Sequence, residues 1–404
     1  MNLHGPDEPV LLPLGFLWSA VKAGIKASGR SDVALAEAPL GASAAAMFTR
    51  NRVVAAPVVV GRAHLRRNKG RVRAVLVNAG NANCATGAAG ITVAEQSCAA
   101  LGKALEVAPQ FILPSSTGII GVPLPVEKLL AAVPAVVEGR AGSVDALQAF
   151  ATAIMTTDTR MKLASAEFAV GKKMVRIAGV CKGSGMIHPN MATMLVYLFT
   201  DLDAEPQELK VALKASVDTT FNAISVDGDT STNDTVLLLA SGASKVKFAA
   251  SGVVKKFAEA LRGVCASLAE QVVRDGEGAQ HLVRLQITGA KSMDEARTIA
   301  RSIANSPLVK TAWAGCDPNW GRILSSVGKS GIAVDPGKIN IFFGPQQVCR
   351  NGSAHPFDEK QAHEYLKQPE YEIRVELGRG KGALEFLTCD LTVEYVHINA
   401  DYST

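Results

Sequence analysis

The stretch that decides the reading is Lys182-Gly-Ser-Gly-Met-Ile-His-Pro-Asn-Met-Ala-Thr193-Met-Leu-Val-Tyr-Leu-Phe199, in which a glycine- and proline-bearing loop runs into an apolar, β-like segment. Thr193 stands at the junction. Small Ala192 before it and a loop able to make tight turns would let the Thr193 hydroxyl attack the preceding carbonyl and form an ester. Hydrolysis of that ester would cut the chain between Ala192 and Thr193 and leave Thr193 with a free α-amine. An α-amine has a pKa of roughly 7.7–8.0, so it can take a proton near neutral pH. Nucleophile and base would then share one residue, which removes the usual objection to an unassisted threonine hydroxyl. The same letters also fit an ordinary strand start, and pattern alone does not separate the two.

Working outward, strand-like and helical stretches alternate along the whole chain, so the fold class is mixed α and β, with sheets flanked by helices and the nucleophile at the head of a strand. Val53–Val60 and Val72–Asn78 read as strands and Val93–Leu105 as a helix. Pro206–Thr219 predicts a helix, with Pro206 at its first position and Leu209, Leu213 and Val217 at four-residue spacing. Val253–Val272 predicts another, its apolar face carrying Val254, Phe257, Leu261, Val264, Leu268 and Val272. Further strands are expected at Met194–Phe199, Thr235–Leu239, Leu282–Thr288, Ile339–Phe343, Tyr371–Glu376 and Glu385–Ile398. No solenoid-length repeat or long linker divides the chain.

Three other stretches invite chemistry. Pro114-Ser-Ser-Thr117-Gly118-Ile-Ile-Gly121 reads as a loop whose hydroxyls and glycine-adjacent amides could bind an oxyanion, or as a plain turn. Asn78-Ala-Gly-Asn-Ala-Asn-Cys84-Ala-Thr-Gly87 follows a strand but lacks both phosphate-loop spacings, so no phosphate site is expected. Phe221-Asn-Ala-Ile-Ser-Val-Asp227-Gly-Asp229-Thr-Ser-Thr-Asn233-Asp234-Thr235 lacks the register and closing glutamate of a calcium loop and predicts a hydrogen-bonded turn network. Glu277, in Asp275-Gly-Glu-Gly, follows a helix and could meet a substrate ammonium.

Composition narrows the partners. The 404 residues are 48% hydrophobic, and 42 Lys and Arg oppose 37 Asp and Glu. The net charge of +5 is spread without a basic block, so no nucleic-acid partner is expected. No segment reaches the roughly 18 apolar residues of a membrane span, and the sequence lacks the basic leader of a signal peptide. Seven scattered cysteines without a C-x-x-C pair predict reduced thiols and a cytoplasmic protein. The histidines show no metal spacing, and no metal or cofactor is expected. His188 is read as a loop residue.

Taken together, the motif around Lys182 and Thr193, Ser115-Ser-Thr117-Gly118-Ile-Ile-Gly121, Ile154-Met-Thr156-Thr-Asp-Thr159, Ser225 to Asp234, Asp317-Pro-Asn-Trp-Gly-Arg322 and Asn399 resemble, in order and over nearly the whole chain, the ornithine acetyltransferase family, also called ArgJ or glutamate N-acetyltransferase. The resemblance implies self-cleavage into an α chain of residues 1–192 and a β chain of residues 193–404, paired again as an α2β2 heterotetramer. It implies that Thr193 accepts acetyl from N-acetylornithine and passes it to glutamate in a ping-pong cycle of arginine biosynthesis. By the same resemblance Thr117 and Gly118 form the oxyanion hole, and Thr156, Lys182, Thr193, Glu277, Asn399 and Thr404 contact substrate. The family includes bifunctional and monofunctional members; use of acetyl-CoA as a further acetyl donor is expected here. Two other readings of the residues stand beside this one: an N-terminal-nucleophile aminopeptidase or amidohydrolase, and a non-catalytic binding or assembly protein.

Overall fold

The computed structural model describes residues 1–6, 8–188 and 194–401. Ala192, Thr193 and Thr404 lie outside the described residues. The order of the fold is set by a nine-stranded sheet whose middle strand, Leu195–Thr200, is buried at all six positions. Alternate side chains explain this burial. Val196 and Leu198 join a core with the helices Pro206–Asp218 and Val253–Arg274, while Leu195, Tyr197 and Phe199 join a second core with Trp18 and Phe150. A strand covered on both faces reads as a continuous apolar run, as Leu-Val-Tyr-Leu-Phe does.

Across this sheet the strands Asn2–His4, Lys162–Val170, Lys173–Lys182, Leu195–Thr200, Thr235–Ala240, Val33–Phe48, Arg71–Asn81 and Ile112–Ile119 lie side by side, and Leu17–Val21 pairs with Val33–Phe48. Leu195–Thr200 runs antiparallel to Lys173–Lys182 and parallel to Thr235–Ala240. Lys182 is therefore opposite Leu195, and Leu195 opposite Thr235, so one strand end and two strand starts fall in register. A second sheet of seven strands, centred on Glu370–Glu376, Leu282–Ala290 and Gly382–Cys389, has its own core with Ile299, Trp313 and Phe386. No helix among the described residues is long and apolar enough to cross a membrane.

The mixed class and most of the expected elements match. Three local expectations outside residues 114–121 do not. Val53–Val60 is not a strand: the helix Ala56–Arg67 begins there, with Pro57 in its first turn. Proline is tolerated at that position because its missing N–H would have no helical partner. The β-branched Val58 and Val60 are buried in the helix, so packing overrides their strand preference. Glu385–Ile398 is half strand and half helix. The strand ends at Cys389, where the Asp390 carboxylate takes the backbone N–H groups of Gln280 and His281, and the helix Val393–Asp401 follows. Finally, Val254 is 50% exposed; the buried first turn of Val253–Arg274 is Val253 itself, one position earlier.

Candidate active site

Thr117 and Gly118 were expected in a loop and instead end the strand Ile112–Ile119, which pairs in parallel with Arg71–Asn81. Gly118 has φ of 131°, a backbone conformation L side chains rarely adopt, and a Cβ there would overlap the Gly80 carbonyl carbon and the Asn81 nitrogen. Only glycine fits this crossing. Thr117 Oγ1 accepts a hydrogen bond at 3.1 Å from Nζ of Lys182, the last residue of the strand Lys173–Lys182.

Asparagines brace this end of the sheet. Asn78 Oδ1 accepts from the Ser116 hydroxyl at 2.6 Å, and Asn78 Nδ2 donates to the Asn81 carbonyl. Asn233 Nδ2 donates to both the Ala82 and Ser116 carbonyls, at 2.6 and 2.9 Å. The Asn78–Gly87 stretch is thus a scaffold. Satisfying buried carbonyls through side-chain amides allows irregular backbone next to a cavity.

The Ser225–Asp234 stretch is the hydrogen-bonded network expected. The Asp227 carboxylate accepts from the backbone of Met186, Ile187 and Asp229, which fixes the loop after Lys182. That loop is tied again by Glu277 N–H to the Ser184 carbonyl at 3.0 Å and by a 2.7 Å hydroxyl contact between Thr157 and Ser184. Glu277 Oε2 accepts from Asn399 Nδ2 at 2.9 Å.

These segments enclose a cavity of about 210 Å3. Thr117, Gly118, Thr156, Lys182, Glu277 and Asn399, which are all the described residues expected at the site, line it together. Met194, the next residue after Thr193 in sequence, lines it too. The sequence reading missed Thr157, Asp227, Asp234 and Tyr395 as lining residues. Tyr395 was unreadable while its segment was taken for strand; on a helix it and Asn399 are four apart and share a face. Asp234 was visible as part of a turn motif, but nothing in the letters showed that its side chain would be buried.

Electrostatically the described lining sets the Lys182 ammonium among carboxyl groups. Burial, helped by the nearby Lys162 charge, holds the pKa of Lys182 below its ordinary value, and the pull of Asp158, Asp234 and Glu277 offsets this only in part. Burial raises Asp234 well above the usual carboxylate range, against the opposing pull of the Ser231 hydroxyl and the Lys182 charge. Among the described residues its Oδ2 has no hydrogen-bond partner. His188 is held down to about 4, first by burial and then by the Arg301 charge, and its Nδ1 accepts from Asn305 at 3.1 Å. It stays a loop residue. The seven thiols form no disulfide.

Chemically, the arrangement offers a polar cavity whose described lining carries Lys182, the carboxyl groups of Asp227, Asp229, Asp234 and Glu277, threonine hydroxyls and the Gly118 backbone. Comparison with known proteins agrees with it. The family model described as ArgJ family matches residues 17–404. The chain is 46% identical to the arginine biosynthesis bifunctional protein ArgJ of Bradyrhizobium diazoefficiens, over 98% of this chain and 96% of that one. It is 45% identical to the protein of the same name from Thermus thermophilus, over 98% of this chain and all of the other. Among solved structures, an arginine biosynthesis bifunctional protein from Bacillus halodurans is 41% identical with a TM-score of 0.50, aligned over 52% of this chain and 100% of its own. The chain belongs to the ArgJ family and is an acyltransferase.

Proposed function

We propose that the chain cuts itself between Ala192 and Thr193 and that the new N-terminal Thr193 carries acetyl from N-acetylornithine to glutamate. The observation that carries this reading is the convergence of six separately encoded residues, Thr117, Gly118, Thr156, Lys182, Glu277 and Asn399, on the cavity that Met194 also lines. In this scheme Thr193 attacks the acetyl carbonyl while its own α-amine takes the proton. The Thr117 hydroxyl and the Gly118 backbone stabilise the oxyanion. Loss of ornithine leaves acetyl-Thr193, and the amine of glutamate then takes the acetyl group.

Lys182 suits the carboxylate that both amino acids share, and Glu277, held by Asn399, suits the ornithine ammonium that glutamate lacks. Thr156 orients the substrate, and the C-terminal Thr404 completes the contacts. Acetyl-CoA serves as a second acetyl donor, and no prosthetic group or metal takes part. The protein works in the cytoplasm as an α2β2 assembly of residues 1–192 and 193–404. The division into two chains is supported by the Bacillus halodurans relative, one complete chain of which spans 52% of this one.

The test is steady-state kinetics with N-acetylornithine and glutamate varied together, followed by glutamate with acetyl-CoA as sole donor. Parallel double-reciprocal lines and acetylglutamate formation support the scheme. Intersecting lines exclude the acetyl-enzyme, release of acetate to water in place of acetylglutamate makes the protein a hydrolase, and no turnover with acetyl-CoA makes it monofunctional.

A further inference from the structure

The Thr156-Thr-Asp-Thr159 motif does more than line the cavity with its first two residues. Asp158 and Thr159 turn away from it toward Lys162, whose side chain is 1% exposed. Lys162 Nζ donates to Asp158 Oδ1 at 2.7 Å, to Asp275 Oδ2 at 2.6 Å and to the Arg160 carbonyl at 3.2 Å. The Asp158 side chain is fully buried and that of Asp275 nearly so.

Both carboxylates then reach the backbone of the Thr156–Thr159 segment, and Asp158 reaches that of Gly183 as well. Asp158 accepts the N–H of Gly183 at 2.6 Å through Oδ1 and the N–H of Thr156 at 2.9 Å through Oδ2. Asp275 accepts the N–H of Thr159 at 3.1 Å and the Thr159 hydroxyl. The lysine therefore joins three segments that are distant in sequence: the one carrying Thr156 and Thr157, the one carrying Lys182 and Gly185, and the one carrying Glu277 two residues after Asp275. Lys162 does not itself line the cavity.

Burial opposes the charges of both Asp158 and Lys162, but their mutual attraction wins: Asp158 is held down to about 2 and Lys162 is pushed up. Asp158 and Lys162 both stay ionised at neutral pH by this balance. Such a network is a poor way to gain stability, because apolar side chains of the same volume would do as well or better. What it does supply is fixed geometry among the segments that it joins.

We infer that Lys162 is a positioning residue for acetyl transfer, clamping through Asp158 and Asp275 the three segments that hold the substrate-facing Thr156, Lys182 and Glu277. The inference rests on the substrate assignment under the proposed function. A displacement of about 1 Å in such segments is enough for a loss of roughly 10²-fold.

The experiment compares Lys162→Met and the milder Thr159→Val, which removes one hydroxyl bond to Asp275, with Glu37→Gln. Glu37 is a fully buried carboxylate bridging Arg73 and Arg140 outside the cavity lining. Lys162→Met should raise KM for N-acetylornithine and glutamate and lower kcat/KM roughly 10- to 100-fold. Thr159→Val should act in the same direction by a few-fold, and decides the matter if Lys162→Met does not fold. Glu37→Gln should lower the melting temperature while leaving kcat/KM within about twofold, as expected of a site that only supports the fold. Equal kcat/KM losses in Glu37→Gln and the clamp variants at matched melting temperature overturn the inference. Ornithine affinity, measured by calorimetry, separates the two claims. Wild-type protein that binds ornithine without transferring acetyl defeats the proposed function, whereas unchanged ornithine affinity in Lys162→Met and Thr159→Val defeats the clamp.

Discussion

Gly185→Ala should uncouple the two half-reactions without replacing a charged residue. A Cβ built on Gly185 overlaps the Glu277 carboxylate, both oxygens included. Gly185 has no positive φ, so the alanine backbone is unstrained. The obstructed atoms are the end of a side chain, which can rotate, and the fold should therefore survive with a small change in melting temperature. Glu277 cannot keep both its place and its bond to Asn399. If that carboxylate meets the ornithine ammonium, the loss is one hydrogen bond to a charged group, roughly 1.5–3 kcal/mol. At about 1.4 kcal/mol per factor of ten, that is a 10- to 100-fold drop. Ornithine release from N-acetylornithine and acetyl uptake by glutamate from pre-acetylated enzyme can be timed separately. The first should fall by that factor and the second stay within about twofold. Glu277→Gln should behave alike, and the double variant should lose no more than either single one, because both act on one contact. Equal loss in both half-reactions would refute ammonium recognition and point to a general distortion of the cavity.

Other expectations follow from the same geometry. Thr117→Ala should leave the fold intact and slow kcat by roughly 10²–10³ if the hydroxyl serves the oxyanion; near-wild-type turnover removes it from the mechanism. Lys182→Met should impair both half-reactions, since the two amino acids share the carboxylate it faces, and selective loss of one would contradict that role. Asp234→Asn bears on pH. Burial raises the folded Asp234 above its unfolded value of 3.8. Below that pH the carboxyl is neutral in both states. As pH rises through the unfolded value the unfolded chain loses its proton first, so wild-type stability falls relative to Asp234→Asn until the folded group titrates. Melting curves from pH 3 to 8 should show this widening gap, and a constant gap would contradict a raised Asp234.

Much of this was legible in the letters because the informative residues are those whose chemistry depends on type and order. The strand Leu195–Thr200 announced itself as a continuous apolar run, and the helix Val253–Arg274 by apolar residues recurring every three or four positions. Gly118 stood out as a glycine after hydroxyls, although the letters did not show that it crosses Gly80 too closely for any Cβ. What stayed hidden depended on distant packing. Val58 and Val60 prefer strand locally and are helical because the helix buries them. The final helix failed for the same reason, since Val393, Val396 and Ile398 look like strand and only the tertiary fold brings Tyr395 and Asn399 to the cavity. The Lys162 network joins residues separated by 113 positions, a pairing no local pattern encodes.

The central claim is that Thr193 is both the product of self-cleavage and the acetyl carrier. Intact-mass analysis of the native protein, before and after brief exposure to N-acetylornithine alone, tests it most directly. The account predicts two chains, residues 1–192 and 193–404, with one acetyl group appearing on the second and mapping to Thr193, and an uncut, unacetylated chain in Thr193→Ala. An active wild-type protein that remains a single full-length chain, or an acetyl group on any other residue, would contradict it.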